Sequence, residues 1–150
     1  MARAETKDEK YLVVDHLIKW FGSDRAVDDV SFSIEKGKFL TLLGPSGCGK
    51  TTTLMSIAGL HTIDSGEIRV GDVIYTSREK KIFLAPEKRD IGMVFQSYAI
   101  WPHMTVAQNV AYPLEIRKIE RVEIDERVDK VLALVGLTEM SDKLATQLSG

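Results

Sequence analysis

Lys38-Phe39-Leu40-Thr41-Leu42-Leu43-Gly44-Pro45-Ser46-Gly47-Cys48-Gly49-Lys50-Thr51-Thr52-Thr53-Leu54-Met55-Ser56-Ile57-Ala58 is the stretch that decides how this chain reads. Its middle, Gly44 to Thr51, fits G-x-x-x-x-G-K-[ST], a loop that wraps phosphate. The run Lys38 to Leu43 reads as a buried strand, and Thr51 to Ala58 reads as a helix. Each part has a physical task. The glycines let the backbone curl closely around an anion. The N–H groups from Ser46 to Thr52 then turn toward its oxygens. The helix N-terminus adds partial positive charge at the same place. Lys50 supplies a mobile point charge for β- and γ-phosphates. The Thr51 hydroxyl is placed to ligate the Mg²⁺ that travels with a nucleotide.

The rest of the composition is that of an ordinary globular chain: 150 residues, 44% hydrophobic, 28% charged, net charge -2. That length suits one domain or part of one. A balance so close to neutral gives no global field for nucleic acid or an anionic membrane, so anion binding must come from local geometry. Cys48 is the single cysteine, which excludes a disulfide framework and points to a reducing, cytoplasmic compartment. Cys48 reads as a small side chain that fits the loop; the alternative is a thiol activated by the helix N-terminus. No apolar run is long enough to span a bilayer. Residues 1–10 are polar, of mixed charge, and read as a frayed lead-in rather than a secretory signal.

Outward from the loop, Tyr11 to Phe21 is strand-like and ends in two aromatics, Trp20 and Phe21. Asp29 to Glu35 alternates, with Val30, Phe32 and Ile34 on one face, as a half-buried strand does. Gly59 reads as the stop of the helix. Ile68 to Val70 and Val73 to Tyr75 flank Gly71-Asp72, a tight hairpin spacer. The charged stretch Ser77 to Asp90 reads as an exposed loop or edge. Ile91 to Phe95 reads as a short apolar strand followed directly by Gln96. Thereafter the pattern turns helical. Thr105-Val106-Ala107-Gln108 fits a capping box, opening a helix toward Ile116 that Pro113 kinks or ends early. Ile124, Val128, Val131, Leu132 and Val135 recur at helical spacing until Gly136. The chain thus reads as a strand-rich part, 1–96, and a helical part, 97–150.

Four features in their order resemble the nucleotide-binding subunit of ABC transporters, most like the importer type. Phe21-Gly22 resembles the loop that stacks adenine. Gly44-Pro45-Ser46-Gly47-Cys48-Gly49-Lys50-Thr51-Thr52 is very close to the family's phosphate loop. Val94-Phe95-Gln96-Ser97-Tyr98-Ala99 resembles its Q-loop, and Gln147-Leu148-Ser149-Gly150 the opening of its signature, Leu-Ser-Gly-Gly-Gln. The resemblance runs from about Leu12 to the last residue. It implies an α/β fold: a P-loop NTPase core with an antiparallel β part and the start of the ABC helical subdomain, an incomplete domain.

The resemblance also implies a mechanism, with ATP and Mg²⁺ as cofactors. Phosphoryl transfer asks mainly for positioning and charge neutralisation. Phe21 would stack on adenine, with Trp20 as the other candidate; the opposing reading packs both in the core. The phosphate loop and Lys50 would fix the phosphates, and Thr51 and Gln96 would both reach the metal through hard oxygens. Gln96 would also act as a hinge that senses the γ-phosphate, so Lys50 and Gln96 are the expected catalytic residues. Ser97 to Met104 clusters apolar side chains where a loop is expected, and in the family this region contacts transmembrane permease subunits. Ser149 and Gly150 would cap the γ-phosphate of a second copy in an ATP-bound head-to-tail dimer.

The resemblance further implies a peripheral place on the cytoplasmic face of the membrane, an indirect link to a solute-binding protein, and no nucleic-acid partner. The sequence stops inside the signature, so an acidic metal-holding strand, a general-base glutamate and a switch histidine are expected downstream of it. Neither His61 nor His103 resembles that histidine, and Asp15-His16 reads as a strand end rather than a metal site. The 150 residues alone are therefore expected to bind nucleotide without turning it over. They are also expected to fold marginally, with apolar edges uncovered. A soluble ABC-type ATPase of DNA repair or translation is the alternative reading; the short helical interval from Gln96 to Leu148 favours a transporter.

Overall fold

The computed structural model describes residues 10–97 and 99–148. The expectations for residues 1–9, for Tyr98, and for Ser149 and Gly150 concern residues outside those described. The fold is α/β, and it divides into two units, Met1–Met93 and Val94–Gly150.

The first unit is built on an antiparallel sheet. Its strands are β1 (Lys10–Phe21), β2 (Asp24–Glu35), β3 (Ser65–Val70), β4 (Val73–Ser77) and the two-residue β5 (Ile82–Phe83), in the order β2-β1-β3-β4-β5. Helix α1 (Lys50–Ala58) belongs to the same unit. The alternation expected in β2 is present, with Val30, Phe32 and Ile34 half-buried between exposed neighbours. Gly71 sits at φ 54° in the two-residue turn between β3 and β4, where Val70 faces Val73. β1 departs from strict alternation. Val14 and Leu17 are both buried although three residues apart. The register shifts between them, at His16 with φ 48°. An extra residue in one strand turns the following side chains over, so both reach the same core. That core also holds Val27, Ile63, Ile68 and Tyr75.

Two expected strands are not formed. Lys38 to Leu43 and Ile91 to Phe95 carry no strand pairing among the described residues. Phe39 and Leu43 are 92% and 95% exposed, and Val94 is 97% exposed. An apolar run records that a segment has hydrophobic surface to bury. A strand also needs a neighbouring backbone to take its N–H and C=O groups, and no described strand supplies one.

The stretch Ser77 to Asp90 holds the sheet-edge strand β5, within the expected loop or edge, and a 3-10 turn, Pro86–Lys88. It differs from expectation in burying one of its charges completely. Arg89 is 0% exposed. Its Nε donates to the Leu84 carbonyl (2.8 Å), Nη1 to those of Ser56 (3.0 Å) and Ile57 (2.7 Å), and Nη2 to the Tyr75 carbonyl (3.4 Å) and Thr76 Oγ1 (2.8 Å). The Tyr75 hydroxyl in turn donates to the Arg89 carbonyl. Burial pushes the guanidinium pKa down, yet arginine starts so high that it stays charged.

The second unit contains α2 (Val106–Ile116) and α3 (Arg121–Leu134). The capping box forms as expected: Gln108 N donates to Thr105 Oγ1 (3.2 Å), and Thr105 N donates to Gln108 Oε1 (2.9 Å). Pro113 does not end α2, which continues to Ile116. In α3 the buried face is Ile124, Val128 and Leu132, a strict four-residue spacing, while Val131 and Val135 are exposed. Those three residues pack with Val106 and Ala111 into a separate small core.

Two outcomes test these assignments. Leu132→Ala should lower unfolding free energy by about 2–5 kcal/mol, and Thr105→Ala by about 1 kcal/mol, both read from denaturant unfolding. The second outcome concerns His16, whose Nδ1 lies 2.6 Å from Asp29 Oδ1. Its pKa is raised by that hydrogen bond first and by the Asp29 and Asp15 charges next. The pair therefore stabilises the fold below the ordinary histidine range and loses that contribution as pH rises through the raised value. The stability gap between the parent and His16→Gln should be open at mildly acidic pH and closed at alkaline pH.

Candidate functional site

The stretch Gly44 to Thr52 forms a tight loop running into α1. Gly47 and Gly49 adopt φ 82° and 87°, a left-handed conformation that side chains disfavour. Gly49 is needed for a second reason: a Cβ there would strike the carbonyl oxygen of Ala26 and crowd Val27. The Gly44–Thr52 loop thus lies directly on the start of β2. A Cβ on Gly44 would fall 2.6 Å from Cys48 Sγ, so the cysteine side chain would have to turn aside.

Gly49 caps α1 without a side chain. The first backbone bond of the helix runs from Thr53 N–H to the Gly49 carbonyl (2.8 Å). The N–H groups of Lys50, Thr51 and Thr52 make no backbone hydrogen bond among the described residues. Three orphan donors and the positive end of the helix dipole therefore converge where the loop opens. Lys50 supplies the mobile charge. Its Nζ donates to the carbonyls of Gly44 and Pro45, both at 2.7 Å, and lies 3.4 Å from Cys48 Sγ. The ammonium thus rests on the loop's own backbone, two neutral acceptors that an anionic ligand would outcompete. Thr51 is exposed, and its hydroxyl has no hydrogen-bond partner among the described residues. Pro45, Ser46 and Cys48 are exposed on the same loop. Orphan N–H groups, a lysine and a free threonine hydroxyl suit a nucleotide phosphate with its Mg²⁺.

The adenine candidates lie at the end of β1. Phe21 is 46% exposed and Trp20 37% exposed, so neither ring is packed in the core. Phe21 pairs with Asp24 across the hairpin, and Lys19 pairs with Val27, the residue beside Gly49. The aromatic end of β1 is thereby two residues along the strand from the phosphate loop's contact with β2. The Phe21 ring meets His61 edge to face at 5.3 Å, with Lys19 Nζ 5.2 Å from its centroid. Trp20 is covered by the Arg25 guanidinium at 4.5 Å. Each ring thus has one cation over its face, and Phe21 is the more exposed of the two. His61 is a neighbour that sequence reading did not assign, since it follows α1 by three residues and its contact with Phe21 spans forty positions.

Gln96 lies in the second unit, exposed, and its amide has no hydrogen-bond partner among the described residues. In the segment from Ser97 to Met104, Ile100 and Trp101 are exposed, and Trp101 meets His103 and Tyr112 edge to face. Asn109 of α2 holds this segment. Its Oδ1 accepts from Trp101 N (2.7 Å), and its Nδ2 donates to the carbonyls of Trp101, Met104 and Thr105. Sequence reading missed Asn109. The only available signal was an amide in the first turn of a helix, where side chains compete for loop backbone. Among the described residues no group of three His, Cys, Asp or Glu side chains is placed to hold a metal. No helix among them is long and apolar enough to cross a membrane.

Residues 27–150 match the ABC transporter family. The chain is 53% identical over 132 residues to the trehalose/maltose import ATP-binding protein MalK of Thermococcus litoralis, covering 88% of this chain and 36% of that protein. It is 46% identical over 140 residues to the trehalose import ATP-binding protein SugC of Mycobacterium tuberculosis (93% and 34%). It is 48% identical over 139 residues to the spermidine/putrescine import ATP-binding protein PotA of Pseudomonas aeruginosa (93% and 37%). The chain spans about a third of the length of these relatives.

Gly49→Ala tests the close approach on which the loop depends. It should lower unfolding free energy by more than the roughly 1–2 kcal/mol that a left-handed φ alone costs an alanine. Gly37→Ala is the comparison, because Gly37 has a similar φ of 75° and open space around it.

Proposed function

The chain belongs to the ABC transporter family, and on that premise we propose that it is part of an ATP-binding subunit that energises solute import by binding and hydrolysing ATP. One observation carries the reading: the bare N-terminus of α1, with three N–H groups lacking backbone acceptors and Lys50 resting on the Gly44 and Pro45 carbonyls. That geometry accepts an anion of several oxygens and releases Lys50 to it. Residues Gly44 to Thr52 would hold the phosphates, Phe21 the adenine ring, and Thr51 and Gln96 the Mg²⁺. Bound Mg²⁺ would neutralise phosphate charge. Lys50 would orient the β- and γ-phosphates, and Gln96 would report whether the γ-phosphate is present.

The family reading extends to partners. Exposed Ile100 and Trp101, held in place by Asn109, form the part of Ser97 to Met104 that would meet a transmembrane permease subunit. A second copy would close over ATP head to tail, with Ser149 and Gly150 in its signature. A solute-binding protein would be linked only through the permease. The subunit would sit peripherally on the cytoplasmic face of the membrane. Relatives named for sugar and polyamine import are almost equally similar to this chain, so we assign cargo choice to other parts of the transporter.

Fluorescent ATP titration tests the reading. Lys50→Ala should abolish measurable ATP binding while circular dichroism stays that of the parent. Phe21→Ala should weaken binding by about 1–3 kcal/mol, the worth of a base–aromatic stack. A Lys50→Ala protein that binds ATP as the parent does would overturn the assignment.

A further inference from the structure

Helix α1 follows the Gly44–Thr52 loop, yet its fully buried residues are Thr53, Ser56 and Ala58. Small and hydroxylated side chains give weak hydrophobic anchorage. Ile57, half-buried, adds one apolar contact with the core. Two further anchors sit at the helix ends. At the N-terminal end Gly49 lies against Ala26. At the C-terminal end the Arg89 guanidinium takes the carbonyls of Ser56 and Ile57.

The Arg89 clamp is saturated. A guanidinium has five N–H donors, and Arg89 directs them to five oxygens: two on α1, two on β4, and that of Leu84 just past β5. Its charge sits at the negative end of the α1 dipole. Any side chain on Gly59 would come within 2.5 Å of Arg89 Nε, so the helix stop is bare where the clamp closes. From there hydrogen bonds run back toward the loop. Ser56 Oγ donates to the Thr52 carbonyl (2.8 Å), and Thr53 Oγ1 donates to the Gly49 carbonyl (2.9 Å).

We propose that Arg89 is a positioning residue for the phosphate loop: it locks the far end of α1 to the β4–β5 hairpin and so fixes where the N-terminal N–H groups and Lys50 stand. The proposal rests on the reading of Gly44 to Thr52 as the phosphate site. Arg89 touches no ligand itself. It acts through a nine-residue helix whose fully buried residues are the small Thr53, Ser56 and Ala58. Lysine cannot replace it, because an ammonium has three donors from a single point and cannot span acceptors on three segments.

The test uses the full-length protein, with fluorescent ATP affinity and thermal midpoint measured for Arg89→Lys, Thr76→Val and Phe32→Ala. Thr76→Val removes one acceptor of the guanidinium and is the gentler variant, so it decides if Arg89→Lys does not fold. Phe32→Ala destabilises the same unit through its apolar core from β2, which β1 and β3 separate from β4. Misplacing a binding group by a fraction of an ångström is costly, so the folded clamp variants should bind ATP about tenfold more weakly or worse. Phe32→Ala should lose thermal stability while keeping parental affinity. Parental affinity in the folded clamp variants would overturn the proposal. So would an equal loss in Phe32→Ala, which would make the effect one of general stability. Absence of ATP binding by the parent would instead overturn the phosphate-site reading, and the positioning role with it.

Discussion

A guanidinium removed from water must find oxygen for every N–H, and this requirement organises the first unit. Arg89 is fully buried, and leaving its donors unpaired would cost several kcal/mol by desolvation. Meeting that demand brings three separate pieces of chain to one point: the end of α1, the strand β4, and Leu84 after β5. Tyr75 closes the arrangement by donating to the Arg89 backbone carbonyl. The apolar core of Val14, Leu17, Val27, Ile63 and Ile68 sets the sheet. The polar clamp determines where α1 stands on it.

The other end of α1 obeys the opposite rule. There the structure leaves donors unpaired, in solvent, where orphan N–H groups cost little because water serves them. Gly49 has no room for a side chain, and Lys50 is parked on carbonyls it can leave. One helix thus has a saturated, buried terminus and an open, exposed one. On the proposed reading, rigidity at the first would make the second a defined anion site instead of a frayed end.

Legibility in the sequence followed the range of the interactions involved. The tight glycine turn before α1, the α1 helix, its glycine stop, the Gly71-Asp72 hairpin and the Thr105–Gln108 capping box were all readable, because each is set by residues within a few positions. Lys38 to Leu43 and Ile91 to Phe95 were misread as strands. Their apolar character is plain, but pairing depends on a distant backbone. Arg89 was misplaced for the same reason: inside a charged stretch it looks like a surface cation, and its acceptors on α1 lie more than thirty positions away.

By itself, then, the sequence determined the chemistry of the loop, since Gly44 to Thr51 specifies bare backbone, a mobile cation and a hydroxyl whatever surrounds them. It also determined where α1 and α2 begin, and that a further helix follows them. Only the tertiary structure decided that Phe21 stays exposed beside His61, that Asn109 holds the Trp101 segment, and that Arg89 anchors α1. These outcomes depend on which distant atoms share a neighbourhood. A buried donor has to be satisfied by whatever acceptors the folded chain brings to it, and residue type alone does not name them.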